Sequence, residues 1–238
     1  MTFDVFGDYS SRGYLRNHYR TKSLLKIQKI EHMSFLKNLD EAILTMNYAA
    51  DISYDDLKSV HRVLFADVYP WAGQDRLALA PGIAVSRADR PDLFAHPRDI
   101  ANAVEYGLGL GRDPAYMAAH PGEVMGYLAH AHPFLEGNGR TIIVAHSEIA
   151  RRAGISIDWT KADKAQYLEA LTRELENPGK GELDTYLKPF IGPPQTSHLI
   201  HATLSGLAGL RGRRQPDQIA HDKPESRPHR SKDNGIAE

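Results

Sequence analysis

The 238-residue chain contains no cysteine. A disulfide framework and a thiolate zinc site are therefore excluded. It also lacks any apolar run near the roughly 20 residues that a membrane-spanning helix needs, so no membrane segment is expected. Its net charge is only -1, which provides no overall field for nucleic acid or an anionic bilayer; no nucleic-acid partner is expected. Nothing near Met1 has the basic, then apolar, then small-residue order of a secretory leader, and no internal repeat is visible. The expectation is a cytoplasmic protein, with export by a route that reads another signal left open.

What the chain does have is enough for a core. It is 42% hydrophobic and 25% charged, which suits one globular domain with tails. Residues 1–20 are polar and aromatic without a period and read as an irregular arm. From Thr21 to Met46 apolar residues recur at helical spacing (Leu24, Ile27, Ile30, Met33, Leu36, Leu39, Ile43), with Thr21 placed to cap. Ser53-x-x-Asp56 resembles a capping box opening a second helix through Leu57, Val60, Val63 and Leu64. Residues 77–87 alternate around Pro81-Gly82 and predict a short hairpin. Gly107, Gly109 and Gly111 predict a turn; they lack the Gly-Lys-Ser/Thr ending of a P-loop. Pro121 opens a further helix that ends at His132. The segment after Arg140 is apolar on every side, as a central helix is. Arg151 and Arg152 suit its C-terminus. A helix over 161–176, a short one around Leu183–Phe190 and a last apolar segment over 196–210 follow. Residues 211–238 are polar and proline-bearing, and predict a disordered tail.

One stretch concentrates chemistry: His132-Pro133-Phe134-Leu135-Glu136-Gly137-Asn138-Gly139-Arg140. His132 can accept a proton near neutral pH. Glu136 is a hard oxygen ligand suited to Mg²⁺. Gly137, Asn138 and Gly139 turn the backbone sharply and present N–H groups where the next helix starts, a site that attracts phosphate. Arg140 adds a fork of donors for phosphate oxygens. A base, a metal carboxylate, an anion-binding turn and an arginine together describe a phosphate-handling site.

The stretch resembles the signature of Fic-domain proteins, His-x-Phe-x-Asp/Glu-Gly-Asn-Gly-Arg-x-x-Arg. It agrees from His132 to Arg140 and departs at the last position, where Ile143 replaces arginine. Upstream, Tyr69-Pro70-Trp71-Ala72-Gly73-Gln74-Asp75-Arg76 resembles the Tyr-x-Trp-Ala-Gly-x-x-Arg segment that precedes the flap in that family. The resemblance implies an all-α Fic fold, a helical bundle over residues 21–195 with a small β-hairpin flap at about 76–90. Leu79, Ile83 and Val85 would line that flap and hold a target protein by strand addition.

The implied reaction is protein adenylyl transfer: AMP moves from ATP to a Ser, Thr or Tyr hydroxyl. His132 would be the base, Glu136 the Mg²⁺ ligand, and Gly137, Asn138 and Gly139 the donors to phosphate. Arg140 would hold the β-phosphate. Phe134 belongs to this nucleotide loop and, with Leu135, anchors it in the core. Tyr167 resembles the family's aromatic near adenine; a packing tyrosine is the other reading. At the position of Ile143 the family's arginine reaches the γ-phosphate and meets the glutamate of an inhibitory helix, so weaker ATP binding and no such inhibition are expected. The match of Thr172-x-x-x-Glu176-Asn177 to the inhibitory pattern is formal only. A small antitoxin, encoded separately, is the implied second partner. Two alternatives stay open: a Fic-like transferase of another phosphate-containing group, and a catalytically weak target-binding or toxin module.

Overall fold

A computed structural model of the chain describes residues 16–82, 85 and 91–205. In chain order its elements are α1 (Leu24–Tyr48), α2 (Tyr54–Phe65), α3 (Arg76–Leu79), α4 (Ile100–Gly111), α5 (Pro114–Ala119), α6 (Pro121–Ala131) and α7 (Asn138–Arg152). They continue with β1 (Ser156–Ile157), α8 (Lys164–Glu176), α9 (Glu182–Leu187), β2 (Ile191–Gly192) and α10 (Ser197–Ser205). The architecture is all-α apart from β1 and β2, which pair antiparallel with Ser156 opposite Gly192.

α7 is the axis. Thr141, Ile142, Ile143, Val144, Ala145, His146, Ile149 and Ala150 are all buried, because α1, α2, α5 and α6 each pack against it. A helix enclosed on all sides needs an apolar circumference. His146 is tolerated there because its Nε2 meets the Pro121 carbonyl at 2.7 Å. Burial pushes its imidazole down to about 4, so it is neutral.

α1 is tied to α7 at two places. Near the start of α7, Arg140 reaches the buried Glu31 of α1 at 3.0 Å. At its other end, Nη2 of Arg152 donates to the carbonyls of Met46 and Ala49, at 2.9 and 2.7 Å, capping α1. Glu148, only 2% exposed, holds the guanidinium groups of Arg151 and Arg152.

Three expectations need correction. Leu77 and Leu79 are not on a hairpin strand: Arg76–Leu79 is one helical turn, capped by the Asp75 side chain on the Ala78 N–H. The reason is tertiary, since Arg76 is wholly buried and its N–H is held by the Pro133 carbonyl at 2.7 Å. Val85 has no strand assignment, and Ile83 lies outside the described residues. The glycine run is also not a turn but part of α4. A Cβ on Gly107 would stand 3.1 Å from Leu128 Cδ2, and one on Gly111 2.8 Å from Ile149 Cγ2. These glycines let α4 lie close on α6 and α7, which outweighs their poor helix propensity. Finally, α1 is capped by Ser23, whose side chain accepts from the Lys26 N–H, rather than by Thr21.

Candidate active site

α6 ends in His132, whose φ of 40° and ψ of 58° are left-handed. For a residue with a Cβ this conformation costs about 1–2 kcal/mol, so something must hold it. Arg76 Nε donates to the His132 carbonyl at 2.7 Å. The Phe94 ring stacks on the imidazole with centroids 3.9 Å apart. His132 as a residue is partly exposed.

The loop beyond is locked from within. Phe134 is fully buried and stacks on His61 at 3.9 Å. It therefore anchors the loop and does not face solvent. The Asn138 side chain accepts from the Phe134 N–H at 2.8 Å and donates to the Phe134 carbonyl at 2.6 Å. Gly137 sits at φ 83°, where a Cβ would also meet Phe65 at 2.6 Å. Only glycine satisfies both conditions.

The Tyr69–Arg76 segment braces the same loop at three points. Arg76 holds His132, as above. The Gly73 N–H donates to His61 Nδ1 at 2.8 Å, and His61 Nε2 donates to the Glu136 carbonyl at 2.9 Å. These partners fix the Nε2–H tautomer. Burial lowers the His61 pKa to about 3, so the ring stays neutral. Tyr69 donates its hydroxyl to Glu31 Oε1, and Glu31 Oε2 takes Nη2 of Arg140 at 3.0 Å. Burial pushes the Glu31 carboxyl upward, against the pull of Arg140. The guanidinium of Arg140 also lies 4.6 Å from the centroid of the Phe65 ring.

The opening turn of α7 is an anion site in form. Among the described residues, the N–H groups of Asn138, Gly139 and Arg140 have no acceptor. Gly139 is exposed. The Gly137 N–H differs from its sequence-based role: Glu136 Oε1 already accepts it at 2.9 Å. Glu136 Oε1 also lies 3.6 Å from Arg140 Nη2. The Glu136 side chain is partly exposed at the rim of the loop, and one hard carboxylate without a full protein cage suits Mg²⁺ that takes its other ligands from phosphates and water. The grouping of three metal-type side chains found among the described residues, His120, Glu123 and Asp184, lies elsewhere, at the start of α6. Ile143 is 6% exposed and belongs to the core. Tyr167 makes ring contacts with Trp159 and Tyr186.

Sequence reasoning passed over Glu31 and His61. A charged residue interrupting the inward face of α1 was the available signal for the first. His61 had none, since a histidine in an amphipathic helix is unremarkable until its partners are known.

Fold and loop together define a helical domain in which a histidine and a helix start with N–H groups lacking acceptors among the described residues share one loop. Residues 51–150 match the Fic/DOC family. It is 29% identical over 168 residues to "Protein adenylyltransferase VbhT" of Bartonella schoenbuchensis, a match covering 66% of this chain and 33% of that protein. The chain thus spans about a third of that relative's length. It is 27% identical over 176 residues to "Probable protein adenylyltransferase y4lH" of Sinorhizobium fredii, covering 69% and 85% of the two. In fold it is similar to the N-terminal Fic domain of a putative cell filamentation protein from Bartonella quintana, with a TM-score of 0.66, 22% identity, and coverage of 86% and 99%. It is also similar to BepC protein with bound AMPPNP from Bartonella tribocorum, with a TM-score of 0.61, 20% identity, and coverage of 79% and 96%.

Proposed function

We propose that the chain is a protein adenylyltransferase, moving AMP from ATP to the hydroxyl of a Ser, Thr or Tyr side chain on a target protein. One observation carries the reading: the partly exposed His132 stands at the end of the helix whose loop leads directly to the N–H groups of Asn138, Gly139 and Arg140, which have no acceptor among the described residues. The target oxygen attacks the α-phosphorus, and its proton passes to His132. The bond from that phosphorus to the bridging oxygen of the β-phosphate breaks, and pyrophosphate leaves. The three N–H groups take up the charge on the phosphate oxygens. Arg140, with one nitrogen held by Glu31, turns its others to the β-phosphate. Glu136 would hold Mg²⁺, which when bound neutralises charge on the α- and β-phosphates. Tyr167 is assigned to the adenine. The names of the two relatives and the AMPPNP in the BepC structure support this reading. The partners are the target protein and a small, separately encoded antitoxin.

A second reading, a target-binding module of low turnover, is favoured by Ile143, which removes a cation from the phosphate side and buries a core residue instead. Incubation with ATP labelled at the α- or the γ-phosphate separates the readings. Transfer of the α-label that His132→Ala abolishes is expected. Transfer of the γ-label alone would indicate phosphate transfer. Tight target binding without any transfer would establish the module.

A further inference from the structure

Arg76 is an expensive residue where it stands. Its side chain is fully buried, and burial pushes the guanidinium down to about 10, so it remains charged at neutral pH. Among the described residues it forms no ion pair. Its Nη1 is buried and has no acceptor among the described residues. A charge placed for stability alone would be better replaced by an apolar side chain of the same size.

What its bonds do is geometric. Nε donates to the His132 carbonyl at 2.7 Å and Nη2 to the Ala95 carbonyl at 2.7 Å. Its own N–H donates to the Pro133 carbonyl at 2.7 Å. The His132 and Pro133 carbonyls flank the left-handed peptide of His132. Ala95 adjoins Phe94, whose ring stacks on the His132 imidazole. One guanidinium therefore fixes both the backbone of His132 and the surface on which its ring rests. The short helix α3 that carries Arg76 is held in turn by its Asp75 cap, which the Tyr54 hydroxyl meets at 2.9 Å.

We propose that Arg76 is a positioning residue for the transfer reaction: it holds His132 in the left-handed conformation that aims the imidazole at the incoming hydroxyl. The inference rests on the adenylyl-transfer reading, but its geometric half can be read without turnover.

The full chain is compared with Arg76→Gln and Arg76→Lys, and with Asp75→Ala, which uncaps α3 without touching the buried guanidinium. Misplacing a catalytic group by about 1 Å can cost on the order of a hundredfold. The expected result is a fall in kcat of that order in Arg76→Gln, partly rescued in Arg76→Lys and about three- to tenfold in Asp75→Ala. KM for ATP should stay within about threefold, because the α7 turn is intact. The His132 imidazole resonance, assigned by its loss in His132→Ala, should shift and sharpen in the same order. Unchanged kcat and resonance in a folded Arg76→Lys would overturn the proposal. So would kcat and KM changing together in proportion to lost thermal stability. If neither Arg76 variant folds, Asp75→Ala decides: α3 opened in hydrogen exchange with kcat unchanged would overturn it. Movement of the His132 resonance in a protein whose wild type transfers no α-label supports the positioning and sinks only the transfer reading.

Discussion

Tyr69 and Arg140 are joined through a single carboxylate: Glu31 accepts the Tyr69 phenol on one oxygen and the Arg140 guanidinium on the other. All three groups are buried, so the chain links the aromatic turn directly to the start of α7. Removing its middle member leaves the buried guanidinium only its longer contact to Glu136 Oε1, at 3.6 Å. Glu31→Ala should destabilise the fold by about 3–5 kcal/mol, read as a lower urea midpoint. Glu31→Gln, which keeps a hydrogen-bond acceptor, should lose less. Equal losses in the two variants would mean that the hydrogen bonds contribute nothing once the charge is gone.

Two histidines give the fold a pH dependence of definite sign. His61 and His146 are held neutral by burial, with pKa values of about 3 and about 4 against an ordinary 6.5. Below 6.5 the unfolded chain takes up protons at both positions while the folded chain does not. Their contribution is therefore fully present above about pH 6.5 and is lost as pH falls toward 4. Each can add up to about 1.4 kcal/mol per pH unit to the slope. Urea unfolding of wild type and His146→Gln at pH 7, 6 and 5 checks this: the variant should show the flatter decline.

Neighbouring glycines of α4 should respond to alanine with opposite signs. Gly111 faces Ile149 with no room for a methyl group, whereas a Cβ on Gly109 meets nothing within 4 Å. Gly111→Ala should cost about 1–3 kcal/mol by overpacking. Gly109→Ala should add about 0.5–1 kcal/mol by removing backbone entropy from the unfolded chain. Thermal midpoints of the two variants make the comparison.

Arginine at position 143 would restore the cation that the signature's last position normally supplies. A charge-assisted contact to phosphate contributes about 1.5–3 kcal/mol, so Ile143→Arg should bind ATP at least tenfold more tightly in calorimetry. It should also lower thermal stability, because an apolar core side chain is lost. Unchanged ATP affinity in the folded variant would count against the account of the site.

Local chemistry was legible in the sequence where it is self-contained. The capping box of Ser53 and Asp56 forms with both of its bonds. The enclosed helix after Arg140 follows from its apolar circumference. What could not be read depends on partners far away in the chain. Met33 was expected inward on α1 yet is 70% exposed, because the true inward face carries Glu31 and Ser34. Those polar residues are admitted by Tyr69, Arg140 and the Leu64 carbonyl. Leu77 and Leu79 alternate as a strand does, but Arg76 is drawn into the core by the His132 and Ala95 carbonyls and coils the segment. At the site, the stretch from His132 to Arg140 does fold into one turn. The side chains that hold it rigid come from α1, α2 and α3; Arg76 of α3 stands in the Tyr69–Arg76 pattern, whereas no local pattern announces Glu31 and His61.

The two ties between α1 and α7 have a mechanical consequence. One grips beside the phosphate turn and the other at the opposite end of the buried helix. An axial slip of the outer helix by a single turn would break both grips together, so the pair must translate as one beam. The Arg140 guanidinium therefore keeps its register with α1 when the pair moves.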